Sequence, residues 1–391
     1  MSKIIYLDNG ATTMVAPEVI ETMNKYHSEK YGNASSLHRL GKEARMAIDD
    51  ARRAIAKSIN AKETEIIFTS GGTESNNFAI KGIAFANKDK GKHIITTKID
   101  HDCVLNSCKW LETQGFEVTY LDVDKEGFVN PEKLEKAIRK DTILVSIIHG
   151  NNEIGTIQDL QKLGEVCKKH NVYFHTDACQ SYTKTELNVR KQNLDLVTLN
   201  AHKIHGPKGV GVLYIKKGTK ITPLAHGGGH EFSLRSGTEN VPGIVGFAKA
   251  VKLAMNKKHI AHMTKLRDKM IDGIMEKVPD VILNGPKGDK RLCNNINLSF
   301  KYVEGEAIGT HLDAEGICSS TGSACSSKSL EPSHVLIAIG LKPEEAHGSL
   351  RLTISRYTTE EEIGKALEAL PRIVAKLRKI SPLTRVIKRV L

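Results

Sequence analysis

The sequence predicts an α/β protein with a mostly parallel seven-stranded sheet. Short apolar runs rich in β-branched residues alternate with longer amphipathic segments, which is the pattern of strands and crossover helices. Helical periodicity marks residues 76–86, 131–139 and 160–170, and the predicted strands lie at 65–69, 93–97, 116–121, 143–148, 172–177, 194–199 and 210–215. In such sheets ligands bind at the carboxyl ends of the strands, so we expect the chemistry there.

The regular alternation of short strands and helices ends at about residue 257, which predicts that a smaller α+β domain follows. We therefore assign residues 15–257 to a large domain and residues 1–14 and 258–391 to a small one. The predicted elements of the small domain are a charged helix at 259–277, a strand at 295–300, a helix at 304–313, a strand near 350–354 and a final helix from residue 359.

Length and composition are those of an ordinary globular protein of 391 residues, 40% of them hydrophobic and 26% charged. No apolar run approaches the roughly 20 residues that span a bilayer, and residues 1–8 lack the pattern of a secretion signal. Seven irregularly spaced cysteines without a CxxC pair argue against a disulfide framework and a closed zinc site. We predict a cytoplasmic protein with reduced thiols and no membrane partner.

The net charge of +12 is concentrated near the C-terminus, where no acidic residue follows Glu368. Such a segment could dock on an acidic protein or RNA, or it could be a solvated helix face followed by a tail. Aromatic residues are not interleaved with the basic ones, which disfavours a nucleic-acid partner. The basic residues are Arg372, Lys376, Arg378, Lys379, Arg385, Lys388 and Arg389.

Lys203 occupies a turn between two predicted strands, within residues 201–209 (Ala-His-Lys-Ile-His-Gly-Pro-Lys-Gly). Its neighbours are mostly small or apolar, so burial would disfavour the ammonium form and leave a nucleophilic amine. Such an amine can form a Schiff base, and pyridoxal phosphate (PLP) is the commonest cofactor bound in that way. A structural lysine is the alternative unless an acid, a phosphate cradle and a ring-stacking group lie elsewhere in the chain.

Residues 69–77 follow a predicted strand and open a helix, which favours phosphate binding. Backbone N–H groups, the helix dipole and the Thr73 hydroxyl converge there on one anion. The segment has neither the lysine of a Walker A loop nor the glycine order of a dinucleotide fingerprint. An ordinary glycine-rich helix cap is the alternative.

Other polar side chains also stand at predicted strand ends. Asp177 ends a buried run, where a carboxylate is costly unless a cation such as a protonated pyridine nitrogen meets it. His101 follows another strand and could stack on a cofactor ring, while Asn151 and Asn152 could meet a phenolic oxygen or a carboxylate. The alternatives are a turn cap for Asp177, a hydrogen-bonded loop for His101 and turn chemistry for the amides.

His226 and His230 flank three glycines, which exclude the helix that would place both imidazoles on one metal ion. Arg235 and Thr238 follow closely and offer a cation and a hydroxyl to an anion.

Cys325 lies in a run of eleven small or polar residues, 319–329, that cannot bury an apolar face. We expect an exposed, mobile loop and a thiol made reactive by the nearby Lys328. The other cysteines divide into two groups: Cys103, Cys108, Cys167 and Cys293 are predicted to be small buried hydrophobes, and Cys179 and Cys318 are undecided.

The ordered motifs resemble those of the group I cysteine desulfurases, the NifS/IscS-like PLP enzymes of the aspartate-aminotransferase fold (fold type I). The serine-rich segment around Cys325 is similar to group I rather than to the short loop of group II. Nine motifs carry the resemblance over almost the whole length: residues 6–13, 32–36, 70–76, 151–155, 177–181, 202–209, 227–231, 235–238 and 322–325. The chain departs at Gly10, Ala34 and Asn200, where the family commonly has alanine, proline and a phosphate-binding serine.

The resemblance implies a role for each matching residue. Lys203 would be the Schiff-base lysine, Asp177 would meet the pyridine nitrogen and His101 would stack on the ring. Arg351 would clamp the substrate carboxylate, and Cys325, in a loop at about 318–332, would accept sulfur. The remaining implied contacts are Asn152 and Gln180 near the phenolic oxygen, Asn152 also at the substrate, Gly72, Thr73, Asn200 and His202 at the phosphate, and Thr238 from the second subunit of a homodimer.

The implied reaction converts L-cysteine to L-alanine and leaves sulfur on Cys325 as a persulfide. The implied recipients are an iron–sulfur scaffold protein or a sulfur relay for tRNA or cofactor thiolation. No resident metal is implied, although Cys325 could ligate an iron–sulfur cluster transiently. The alternatives are a selenocysteine lyase, an aminotransferase or another β-lyase on the same fold, and a non-catalytic assembly scaffold that binds its partner through Cys325.

Overall fold

The structure, a computed structural model, describes residues 4–321 and 331–381. Cys325 and the basic residues Arg385, Lys388 and Arg389 lie outside these ranges, so the predictions for them stay predictions. No helix within the described ranges is long and apolar enough to cross a bilayer.

A seven-stranded sheet confirms the predicted mostly parallel architecture, and each strand lies within two residues of its predicted bounds. After a short β1 (Ile5–Tyr6), its strands are β2 (Ile66–Thr69), β3 (His93–Thr97), β4 (Glu117–Leu121), β5 (Thr142–Ser146), β6 (Tyr173–Asp177), β7 (Leu196–Asn200) and β8 (Gly211–Ile215). Their order is β2-β8-β7-β6-β5-β3-β4, and β8 alone runs antiparallel to its neighbours in this sheet. The central strands β3, β5, β6 and β7 are buried almost throughout because helices cover both faces.

Two layers of helices cover the sheet. The helices of this part are α1 (Pro17–Ser28), α2 (Arg39–Ser58), α3 (Gly72–Asn87), α4 (Asp102–Glu112), α5 (Pro131–Ala137), α6 (Leu160–Lys169) and α7 (Val241–Ala254). One hydrophobic cluster packs α1, α2, α6 and α7 on one face, and a second packs α3 and α4 on the other. The sequence correctly predicted α3, α5 and α6, and Asn130 and Asp159 cap the last two.

A three-stranded antiparallel sheet with the order β12-β10-β9 organises the later part of the chain. Its elements are α8 (Lys257–Lys277), β9 (Val281–Leu283), β10 (Asn295–Phe300), α9 (Gly305–Ala314), β11 (Ile317–Cys318), α10 (His334–Ala338), α11 (Pro343–His347), β12 (Ser349–Thr353) and α12 (Glu360–Ile380). β1 pairs with β11, and Ile5 and Leu7 join the hydrophobic cluster of this part. The domain boundaries at residues 14/15 and 257/258 stay a prediction.

Candidate active site

The carboxyl ends of β6 and β7 bring the first candidate residues together. Asp177 is the last residue of β6, Asn200 is the last of β7, and the two strands pair in parallel. Lys203 is half-buried in the turn that follows β7. Asp177 and Lys203 both lie close enough to His101 to affect its pKa. Burial lowers the pKa of His101, Asp177 counteracts this effect, and Lys203 adds to it.

Two neutral donors hold the Asp177 carboxylate. Asn76, fully buried on α3, donates from Nδ2 to Asp177 Oδ2 over 2.6 Å. The backbone N–H of Cys179 donates to Asp177 Oδ1 over 2.8 Å. Since both donors are uncharged, they orient the carboxylate and leave its negative charge available to a cation such as a protonated pyridine nitrogen.

His101 lies at the N-cap of α4, where its Nδ1 accepts the N–H of Cys103 over 3.2 Å. Burial lowers the imidazole pKa, which favours the neutral ring that stacking requires. Cys103 lies beside it with Sγ 3.1 Å from His101 Nδ1, and it is half-buried rather than fully buried as predicted. Cys103 lies in the first turn of α4, where its Sγ is 3.0 Å from Asn76 Nδ2, the nitrogen that also donates to Asp177.

The start of α3 has the shape expected of a phosphate cradle. The helix begins at Gly72, after Gly71 with φ 156°. A Cβ at Gly72 would lie 2.7 Å from Cys179 Sγ, so only glycine fits this close approach. Thr73 is exposed at the first turn, and Asn200 Nδ2 would lie 3.7 Å from the same Cβ position, so an amide donor faces the start of α3. A bound anion would accept hydrogen bonds from the backbone N–H groups of this turn, the Thr73 hydroxyl and the Asn200 amide.

His202 and Gln180 are held by the N-terminal segment of the chain. His202 Nδ1 lies 3.2 Å from Thr12 Oγ1, and burial together with Lys203 lowers the His202 pKa to about 4. Gln180 donates from Nε2 to Gly10 O over 2.9 Å, which leaves its second N–H for a ligand. Residues 8–13 therefore line the same crevice.

Arg351 reaches the site from β12 of the small sheet. It is buried and donates to the carbonyl oxygen of Asn152 over 3.0 Å and to Asp8 Oδ1 over 3.2 Å. Asn152 Oδ1 and Arg351 Nε are both buried without a hydrogen-bond partner among residues 4–321 and 331–381. Arg351 Nε is thus a donor that a ligand carboxylate could use, and Asn152 Oδ1 is an acceptor that a ligand N–H could use.

These residues fit PLP. Lys203 would attach it, Asp177 would face its ring nitrogen, and Gly72, Thr73 and Asn200 would hold its phosphate. The glycine cradle and the Asn200 Nδ2 that faces it are the observations that test this fit.

The two other predicted anion contacts, Arg235 and Thr238, lie on the loop between β8 and α7. Arg235 donates to the Glu74 carboxylate of its own chain over 2.8 Å, and its contact with a bound anion stays a prediction. Thr238 is exposed on the loop between β8 and α7, and it hydrogen-bonds no site residue within the described ranges. Its proposed role from a second subunit stays a prediction.

The sequence interpretation missed Asn76 and Asp8 as functional candidates. Asn76 ends the motif at 70–76, and Asp8 lies in the motif at 6–13, so both were within recognised segments. Their partners are 101 and 343 residues away in sequence, which no local pattern reveals.

The chain belongs to the aminotransferase class-V family, whose model matches residues 5–366. Within that family it is a NifS/IscS-like PLP enzyme, which confirms the resemblance in the motifs. It is 57% identical to cysteine desulfurase IscS of Dictyoglomus turgidum, over 98% of this chain and 97% of the relative. Identity to the Methanosarcina thermophila IscS is 54%, over 98% and 95%.

Solved structures give the same result. A NifS-like protein superposes with a TM-score of 0.90 at 40% identity, covering 96% of this chain and 100% of the other. A structure described as SspA in complex with cysteine has a TM-score of 0.82 at 38% identity, with 91% and 100% covered.

Proposed function

We propose that this cysteine desulfurase moves the sulfur of L-cysteine onto Cys325 and passes it to an iron–sulfur scaffold protein or a sulfur relay. The observation that carries the proposal is the convergence of Lys203, Asp177 and His101 at the strand ends, with Arg351 opposite them. The curated relatives named cysteine desulfurase support the reaction.

Each residue has a task in this reaction. Arg351 binds the cysteine carboxylate, because a buried guanidinium with an unpartnered Nε has a donor to offer. The Lys203 amine takes the proton from the substrate Cα and later returns one. PLP, when bound, supplies the electron sink that makes this proton acidic. With PLP bound, Asp177 would maintain the charge of its ring nitrogen, and neutral His101 would pack against the ring.

The sulfur step balances without an external oxidant. The Cys325 thiolate attacks the substrate sulfur, the substrate C–S bond breaks and a new S–S bond forms, so L-cysteine and the enzyme thiol become L-alanine and an enzyme persulfide. Two equivalents of an added thiol then release hydrogen sulfide and form one disulfide, which restores Cys325. Catalytic turnover in vitro therefore needs a thiol reductant or a protein acceptor.

The test is L-alanine formed from L-cysteine by the PLP-loaded protein, with and without dithiothreitol. We expect about one equivalent per subunit without reductant and many with it. Cys325→Ala should bind cysteine but form no alanine, whereas Cys318→Ala, which removes a half-buried thiol on β11, should keep turnover. Normal turnover of Cys325→Ala contradicts the proposal.

The alternative functions differ from the proposed one in the co-substrate they need, the substrate they prefer or the product they form. An aminotransferase forms alanine only with a 2-oxo acid, and a selenocysteine lyase discriminates strongly against L-cysteine. A scaffold forms no alanine at all. Equal rates with and without a 2-oxo acid separate the proposed reaction from transamination.

The exposed apolar side chains near α1 and α2 support the homodimer. Leu37 is 88% exposed and Tyr31 is 68% exposed on the connection between these helices. The buried Arg52–Glu231 pair, 2.8 Å, attaches the loop that carries Thr238 to α2. We expect Leu37→Glu to shift mass photometry towards the monomer, while Met275→Glu, on α8, leaves the dimer unchanged. The cytoplasmic location stays a prediction.

A further inference from the structure

A buried hydrogen bond joins Glu153 to Ser333. The Ser333 hydroxyl donates to Glu153 Oε2 over 2.6 Å, and both side chains are buried. The same hydroxyl accepts the N–H of Leu336 and so caps α10. One hydroxyl therefore links the turn that holds Asn152 to the start of α10.

Other hydrogen bonds hold Glu153 in place, so its hydrogen bond with Ser333 restrains the position of Ser333. Its N–H donates to Asn151 Oδ1 over 2.9 Å. Its carbonyl oxygen accepts the side-chain N–H groups of Asn295 and Asn297 on β10, at 2.9 and 3.0 Å. Burial raises the pKa of its carboxyl, which the Ser333 hydroxyl counteracts.

His334 adds a second contact at the same point. Its Nε2 lies 3.0 Å from the carbonyl oxygen of Asp100, the residue before His101. α10 packs against the strand-end loops through a small apolar cluster that includes Ile99, Ile148, Ile154, Val335 and Leu336. The start of α10 is thus anchored to both loops that carry expected cofactor contacts.

Ser320 forms the corresponding anchor on the other side of Cys325. Its N–H and carbonyl oxygen pair with the backbone of Arg351 at 3.1 and 2.7 Å. The Arg351 guanidinium also donates to the Ser320 hydroxyl over 3.4 Å. The chain on either side of Cys325 is therefore attached to residues next to the expected substrate.

We propose that Ser333 and Glu153 are positioning residues for sulfur transfer to Cys325. The proposal rests on the proposed function of Cys325 as sulfur acceptor. The Ser333–Glu153 bond holds residue 333 beside Asn152 and the Ser320–Arg351 pairing holds residue 320 beside Arg351, so the two described ends of the segment that carries Cys325 lie close to the expected substrate. Neither side chain is among the expected PLP or cysteine contacts, so the effect falls on transfer rather than on binding.

Single-turnover measurements on the Ser333→Ala holoenzyme test this. We expect cofactor absorbance and the half-saturating cysteine concentration to match the wild type. Persulfide on Cys325, followed by mass spectrometry of quenched samples, should form about tenfold more slowly, the size expected of one lost buried hydrogen bond. Ser333→Thr, which keeps the hydroxyl, and Glu153→Gln, which keeps an acceptor, should retain most of the rate.

Thr359→Ala is the matched control, since Thr359 caps α12 with the same kind of bond, 3.2 Å to the Glu362 N–H, on a helix that carries no expected site residue. It should leave persulfide formation unchanged. A wild-type rate in folded Ser333→Ala overturns the positioning proposal, as does an equal loss of PLP affinity. Alanine formation by the wild type without persulfide on Cys325 overturns the proposed function as well, and so separates the two failures.

Discussion

Arg351 donates to Asp8 Oδ1 over 3.2 Å, so the residue expected to clamp the substrate carboxylate already holds a carboxylate of its own chain. The Arg351 side chain is 4% exposed and that of Asp8 is 20% exposed. Burial raises the pKa of Asp8, whereas Arg351 and Lys203 lower it. An incoming carboxylate must therefore share or displace this ion pair.

Asp8→Asn is expected to lower the KM for L-cysteine about fivefold with little change in kcat. The amide can still accept the Arg351 hydrogen bond but no longer competes with the substrate by charge, a difference of about 1 kcal/mol. Steady-state alanine formation measures it. Asp8→Ala is the companion variant, and a higher KM in both variants would show that Asp8 orients Arg351 instead of competing.

Lys203, not Lys184, is expected to carry PLP covalently. Lys184 is the closest rival, because burial lowers its pKa to about 8, and its Nζ donates to Gln180 O over 2.8 Å. Borohydride reduction followed by peptide mass spectrometry should find the adduct on Lys203 in the wild type and in Lys184→Arg. Lys203→Ala should form none, and an adduct on Lys184 of the wild type contradicts the assignment.

Asn76→Ala is expected to lower kcat about tenfold and the free energy of unfolding by about 1–3 kcal/mol. The change leaves a buried carboxylate oxygen of Asp177 without its 2.6 Å donor. Alanine assays and urea unfolding measure the two effects. Asn77→Ala is the matched control on the same helix, since its amide donates to Thr73 O and not to Asp177, and equal losses in both variants would indicate a general effect on α3.

Acid is expected to destabilise the protein through His175. His175 lies on β6, and its imidazole is 2.8 Å from Ser146 Oγ on β5 and 3.1 Å from Thr198 Oγ1 on β7. Burial lowers the pKa of this imidazole to about 4. Between pH 6.5 and 4 the unfolded chain binds this proton and the folded chain does not, so the free energy of unfolding falls as the pH is lowered.

Replacing His175 by glutamine should reduce that fall by up to about 3 kcal/mol across the window. Urea unfolding at pH 7, 5.5 and 4.5 measures it. His27→Gln, at an exposed position on α1, should leave the pH dependence as it is. A parallel pH dependence in His175→Gln and the wild type argues against the buried neutral imidazole.

Local sequence patterns predicted the strands and the position of Lys203 well. β6 and β7 are short apolar runs with polar residues at their ends, so their bounds and the placement of Asp177 follow from composition. The same reasoning did not reveal that Arg235 pairs with Glu74, because the two residues lie 161 positions apart in the chain. It also predicted a fully buried Cys103, because apolar neighbours in sequence do not reveal the crevice in front of α4.

The sequence by itself determined which segments become strands and which polar residues stand at their ends, because burial of alternating and continuous apolar runs is encoded within a few residues. Only the tertiary structure decided the partner of each polar group. Asn76 meets Asp177, Arg351 meets Asp8 and Ser333 meets Glu153 across separations of 101, 343 and 180 residues. A hydrogen bond acts over about 3 Å, so its partners are set by how the two sheets and their loops pack, not by their spacing in the chain.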